Sequence, residues 1–184
     1  MNLPNKLSLL RVAMIVPFVV LALLEAQWAQ YAALGVFALA SLTDMLDGRI
    51  ARKRNQITDF GKFIDPIADK LLVMSALVVF VGQGRMPSWA CILMLARELA
   101  ISGFRLVAAN SGRVIAAGKL GKVKTVLQMA AVILILLLVP VRGEGLLGDG
   151  GATFARIVLY AATAMTVISG ADYIARNFDC IQDM

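Results

Sequence analysis

The chain has 184 residues, 60% of them hydrophobic and only 16% charged, with a mean hydropathy of +0.80. Soluble domains carry about 25% charged residues, and a fold this small could not bury so much apolar surface, so soluble globular and disordered classes are excluded. A net charge of +6 then speaks for anionic lipid and a basic cytoplasmic side, not for nucleic acid.

Hydropathy and chain breakers divide the sequence into six candidate spans, each near the ~18–20 residues a bilayer-crossing helix needs. The first covers 7–26. Lys6 and Arg11 ahead of an apolar run resemble a signal peptide, but the run is too long and no small-residue cleavage pattern follows it, so it reads as a retained helix. The second span is expected over 28–51 and the third over 63–81, with Asp59 as its cap and the turn signals of 82–87 closing it. The fourth covers 89–109, the fifth 123–139 with a stop at Pro140, and the sixth 152–174.

Basic residues fall unevenly between these spans. Lys6, Arg11, Arg49, Arg52, Lys53, Arg54, Lys62, Arg113, Lys119, Lys122, Lys124 and Arg176 lie on one side, against Arg85, Arg142 and Arg156 on the other. The positive-inside rule makes the first side cytoplasmic and places both termini there. The expected architecture is an all-α integral membrane protein, one domain over 1–184, with six transmembrane helices and its site at the cytoplasmic membrane interface. Cys91 and Cys180 form no metal or redox motif and read as small buried hydrophobes, and with no His, every His-based triad and His metal site is excluded. The run from Gly143 to Gly148 formally matches GxGxxG, but it follows a membrane span and no strand, so it reads as an external loop.

The chemistry concentrates between Asp44 and Asp69. Asp44 and Asp47 are three apart and Asp65 and Asp69 four apart, so each pair shares one face of its helix. The turn between them lets the two helices run antiparallel and the faces meet. Four carboxylates at a membrane boundary repel one another and are partly desolvated, and a charge inside a bilayer costs at least ~2.5–3.5 kcal/mol. Divalent cations relieve both penalties. All-oxygen ligation without Cys or His points to Mg²⁺ or Mn²⁺, and two ions balance four charges. Gly48 leaves room for a ligand to approach the backbone, and Arg52, two turns from Asp44, is in reach of a phosphate at the same site.

This segment fits the pattern D-x2-D-G-x2-A-R-x8-G-x3-D-x3-D at every defined position, and on it the chain resembles the CDP-alcohol phosphotransferase family. The resemblance implies transfer of a substituted phosphoryl group from a CDP-linked donor to an alcohol, with release of CMP. It further implies that Asp44, Asp47, Asp65 and Asp69 hold two metal ions and that Asp69 is also the base for the acceptor hydroxyl. Asp47, Gly48 and Arg52 map to contacts with the cytidine diphosphate.

The second informative region is Arg97-Glu98, Arg105 eight residues after Arg97, and the segment opening helix five, Gly118-Lys119-Leu120-Gly121-Lys122-Val123-Lys124-Thr125. Arg97 and Arg105 share a face about two turns apart, and an Arg so deep in an apolar helix needs a cavity or a partner. Such groups make an anion pocket suited to an acceptor that carries a phosphate. The blander alternative pairs Arg97 with Glu98 and leaves the lysines as topology charges. The patterns Ala-Arg-Glu, Gly-Phe-Arg and Gly-Lys-Val-Lys-Thr, with Leu3-Pro4-Asn5, Leu7, Leu9 and Arg11, are similar to a bacterial branch of that family, the phosphatidylglycerophosphate synthases; Ser8 stands where relatives often have Thr. This implies CDP-diacylglycerol and sn-glycerol 3-phosphate as substrates, Arg97, Arg105 and Lys122 around the acceptor phosphate, and Arg11 at the donor end. It also implies a homodimer among membrane lipids in the bacterial inner membrane. Within the family the acceptor could instead be phosphatidylglycerol (a cardiolipin synthase), inositol phosphate or serine. A divalent-cation transporter fits poorly, because the carboxylates lie at one end beside a basic pocket and no repeat is seen.

Overall fold

A computed structural model describes residues 3–54, 59–110, 115, 118–141 and 145–178, with side chains for 9–43, 67, 68, 70–109, 115, 118–141 and 145–178. Among these residues there are six α-helices and no strand: α1 Leu3–Leu23, α2 Gln27–Arg54, α3 Asp59–Gly82, α4 Ser88–Asn110, α5 Lys119–Leu138 and α6 Gly148–Arg176. The six match the six hydropathy spans one for one. They differ mainly at the basic ends, where α2 continues to Arg54 and α3 already begins at Asp59. Charged residues do not interrupt helical hydrogen bonding, so hydropathy underestimates these lengths.

The α3–α4 turn shows how local chemistry sets a boundary. Gly84 adopts φ +67, its N–H donates to the Val81 carbonyl at 3.0 Å, and Arg85 N–H donates to Phe80 at 2.9 Å. This paired closure needs a left-handed residue, which Gly supplies without steric cost. Pro87 then leads directly into α4.

α1 packs against both α2 and α3, α5 against α6, and α6 also against α4, while α2 and α3 each touch α5. The interior is built of Phe18, Phe37, Phe80, Met94, Leu136 and Leu159, all almost fully buried, interspersed with buried Ala33, Ala40, Ala76, Ala131, Ala155 and Ala162. Small residues let helix backbones approach where no hydrophobic force separates lipid from protein. Thr163 and Thr166 of α6 are buried too, and donate to the carbonyls of Leu159 and Ala162 at 2.9 and 2.7 Å, so neither hydroxyl is left unsatisfied. The exterior is equally apolar: Val16, Val20, Leu39, Val78, Ile92, Leu99, Val126, Ile157 and Ile168 are each more than half exposed. An apolar surface this extensive is expected in lipid and not in water. α5 and α6 are long and apolar enough to cross a membrane, and Leu9–Leu23 and Lys70–Gly82 are shorter apolar segments.

Two polar side chains tie the bundle where Pro140 stops α5. Gln30 of α2 donates to the carbonyls of Leu136 (2.6 Å) and Val139 (2.9 Å), and its Oε1 accepts from the Val141 N–H at 3.2 Å. Arg85 donates to the carbonyls of Ile135 and Val139, and its guanidinium lies 5.1 Å from the Phe80 ring centre. Burial lowers the Arg85 pKa to about 10, which still leaves it cationic at neutral pH and suited to the negative end of a helix. Gln83 similarly donates to Ala22 at the end of α1, at 2.6 Å. Arg85 is thus more than a charge on the less basic side.

Gly145, between α5 and α6, and Gly151, in the first turn of α6, serve packing. A Cβ on Gly145 would lie 2.5 Å from the Leu138 carbonyl oxygen, and one on Gly151 would lie 2.9 Å from Leu147 Cβ. Residues 143 and 144 of the formal GxGxxG run lie outside the described residues. What precedes the run is a helix, so no phosphate-binding strand–loop–helix unit exists here.

Candidate functional site

Asp44, Asp47, Gly48 and Arg52 stand on the last three turns of α2, and Asp65 and Asp69 on the first three turns of α3. Their side chains lie outside the described residues, as does Cys180; Cys91 is buried in α4, as expected.

Adjacent to Asp69 in sequence, Lys70 begins a basic cavity of about 170 Å³. Lys70 of α3, Arg97, Glu98, Ser102 and Arg105 of α4, and Lys122 of α5 line it. Arg97, Arg105 and Lys122 therefore border one space, with Lys70 as a fourth cation. The first turns of α5 form its floor, and a helix N-terminus adds a partial positive charge in the same direction. Lys70 Nζ donates to Ser102 Oγ, which in turn donates to the Glu98 carbonyl.

Among the described lining residues Glu98 is the one acid, and it is already engaged. Its Oε1 accepts from Lys124 Nζ and lies 3.4 Å from Arg97 Nη1. Lys124 itself is 1% exposed and reaches Glu98 at the edge of the cavity without lining it. The alternative in which Arg97 pairs with Glu98 is realised in this contact, yet Arg97 still lines the cavity. With Glu98 compensated, the space retains a strong excess of positive potential, which favours a multiply charged anion.

A second cavity of about 90 Å³ adjoins the first and shares Lys70, Glu98 and Thr125 with it. It extends among α1, α2 and α5 to Arg11, Ser41 and Gln128. Arg11 is 3% exposed, so it belongs to the interior rather than to a solvated face. The two cavities join the Arg11 side of the bundle to the Arg97–Arg105 side through Lys70 and Glu98.

A family model for CDP-alcohol phosphatidyltransferases matches residues 1–168. The chain belongs to the CDP-alcohol phosphatidyltransferase family. It is 40% identical to the CDP-diacylglycerol–glycerol-3-phosphate 3-phosphatidyltransferase of Bacillus subtilis, over 98% of this chain and 97% of that one. It is 38% identical to the protein of the same name from Rickettsia felis, over 94% and 93% of the two chains. A probable phosphatidylglycerophosphate synthase of Mycobacterium tuberculosis is 41% identical over 95% of this chain and 81% of its own.

For a phosphatidyltransferase, Lys70 and Ser102 are residues that sequence reasoning did not place in the site, and it named Glu98 and Lys124 in the pocket region without foreseeing that they pair with each other. One signal was available for Lys124. It stands two residues after Lys122, and on a helix such neighbours point to different faces, so both could not enter one pocket.

Proposed function

We propose that this enzyme transfers the phosphatidyl group of CDP-diacylglycerol to sn-glycerol 3-phosphate, giving phosphatidylglycerophosphate and CMP. All six helices cross the bacterial inner membrane, with both termini and the site on the cytoplasmic side. The apolar exterior and the concentration of Lys and Arg at that end support this placement. So do Trp28 and Trp89, exposed near the opposite helix ends, where amphipathic rings favour the interface.

The basic cavity carries the choice of acceptor. At about 170 Å³ it is small beside the ~300–1,000 Å³ of sites for drug-sized ligands. Four cationic side chains around so small a space suit a compact phosphate-bearing alcohol; phosphatidylglycerol would not need them. In this reading Arg97, Arg105, Lys122 and Lys70 hold the phosphate of the acceptor and orient its 1-hydroxyl toward the donor. That hydroxyl attacks the phosphorus bonded to the diacylglycerol oxygen as its proton passes to Asp69. The bond from this phosphorus to the pyrophosphate bridging oxygen breaks, and CMP departs with the electron pair. Asp47, Gly48 and Arg52 contact the cytidine diphosphate, with Arg11 at the donor end.

The donor set, four carboxylates on two consecutive helices with no His in the chain, fits a hard divalent cation. Asp44, Asp47, Asp65 and Asp69 would hold two Mg²⁺ or Mn²⁺ ions. When bound, such ions offset charge on the pyrophosphate and the departing CMP.

The test is an acceptor panel, with purified protein, CDP-diacylglycerol, Mg²⁺ and glycerol 3-phosphate, phosphatidylglycerol, inositol phosphate or serine. Glycerol 3-phosphate should give the highest kcat/KM. Preference for any other acceptor overturns this reading.

A further inference from the structure

Both cavity arginines are held from behind by one short stretch of α6. Arg97 Nη2 donates to Ser169 Oγ at 3.3 Å, while the Ser169 hydroxyl donates to the Thr166 carbonyl at 3.2 Å. The serine proton is thereby directed away and a lone pair faces the guanidinium. Next to it, Gly170 leaves just enough room for the arginine stem, because a Cβ there would lie 3.1 Å from Arg97 Cγ. One turn on, Tyr173 OH accepts from Arg105 Nε at 3.2 Å, with the Arg105 Cζ 5.4 Å from the Tyr173 ring centre. Phe104 meets that ring edge-on at 5.8 Å and fixes its plane. Ser169 and Tyr173 are 2% and 6% exposed, so these partners are not exchanged for water.

We propose that Ser169, Gly170 and Tyr173 form a positioning element that sets the two arginines for a phosphate-bearing acceptor. The inference rests on the acceptor reading above and names residues beyond the segment that the family model matches, which ends at 168. The logic is geometric. A guanidinium has five donors in a rigid fork. Tyr173 occupies the Nε of Arg105 and its ring supports the guanidinium, which leaves both terminal nitrogens for an anion. Arg97 is fixed differently. Ser169 takes one hydrogen of Nη2 and Glu98 one of Nη1, which leaves one donor on each terminal nitrogen. The side chain runs between Gly170 of α6 and Gly121 of α5, whose own Cβ would lie 3.4 Å from Arg97 Nη2. Pre-orientation of this kind lowers the entropy lost when the anion binds.

Tyr173→Phe keeps the ring and its packing and removes only the acceptor oxygen. Its KM for sn-glycerol 3-phosphate should rise about fivefold, with kcat and the KM for CDP-diacylglycerol unchanged. Gly170→Ala, which pushes Arg97 without altering any donor, should shift the same KM in the same direction. Inorganic phosphate provides a readout independent of the reaction, and calorimetry on detergent-solubilised protein should show weaker phosphate binding in both variants. Unchanged acceptor KM and phosphate affinity in both variants overturn the proposal, as does an equal loss for donor and acceptor. Should the wild-type protein bind phosphate yet not use glycerol 3-phosphate, the acceptor reading fails, and the phosphate affinities of the variants still decide the positioning role.

Discussion

Lys124 on α5, fully buried, forms an ion pair with the half-buried Glu98 on α4, whose carboxylate also contacts Arg97. The pair lies against the basic cavity and keeps Glu98, the one carboxylate among its described lining residues, from opposing an incoming anion. Removing Lys124 deprives Glu98, which is partly exposed and still beside Arg97, of its main partner, at a cost of about 1.5–3 kcal/mol. Lys124→Met should therefore lower the melting temperature of the detergent-solubilised protein markedly. The double variant Lys124→Met/Glu98→Gln should recover part of that loss, because neither charge is then stranded. A double variant no more stable than Lys124→Met would show that the two charges are not coupled.

Arg105→Ala tests the cavity from its other side. A hydrogen bond to a charged group contributes about 1.5–3 kcal/mol, so the KM for glycerol 3-phosphate should rise by ~10- to 100-fold. The KM for CDP-diacylglycerol should stay close to that of the wild type. Steady-state kinetics with each substrate varied in turn separate these effects, and a parallel fall in melting temperature alone would assign Arg105 to structure.

How much of this was legible in the residues depends on the distance over which each feature is encoded. The helices are local: a run of apolar residues, a Gly84 turn and Pro140 define them without reference to the rest of the chain. The aspartate pattern is also compact, with Asp44 to Asp69 carried on adjacent helices. Arg97, Arg105 and Lys122 could be named because a charge in an apolar helix demands a partner. The partners themselves could not. Glu98 meets Lys124 across 26 positions, and Tyr173 meets Arg105 across 68, and these meetings depend on the rotation of each helix within the bundle, which hydropathy does not specify. Gly170 was invisible for the same reason, since its role appears only once the Arg97 stem is seen against α6.

Asp69→Asn should reduce turnover by ~10²- to 10⁴-fold, the usual contribution of a general base, and the KM for glycerol 3-phosphate should change little. Rates measured at saturating CDP-diacylglycerol and Mg²⁺ check this. Wild-type turnover in the variant would reject Asp69 as the proton acceptor.

Chelation offers a complementary test. EDTA should abolish transfer, and added Mg²⁺ or Mn²⁺ should restore it, because in the proposed reading Asp44, Asp47, Asp65 and Asp69 need compensation before they can receive a pyrophosphate. Full activity after exhaustive chelation would exclude a role for divalent ions.

At the far end of the bundle, Gln30→Leu should destabilise the protein by ~1–3 kcal/mol, since it leaves buried carbonyls of α5 without one of their donors. Activity per folded molecule should remain that of the wild type. Thermal unfolding and specific activity, measured on the same preparation, distinguish the two.

The arrangement around Pro140 has a mechanical consequence. Gln30 and Arg85 bind the same Val139 oxygen, about 25 Å along α5 from Lys122. A cylinder of rods strapped at one rim can splay only at the other, in the manner of a clothes-peg. On the proposed reading, helix separation that admits an acyl chain is therefore expected at the Lys122 end, with the Pro140 end held closed.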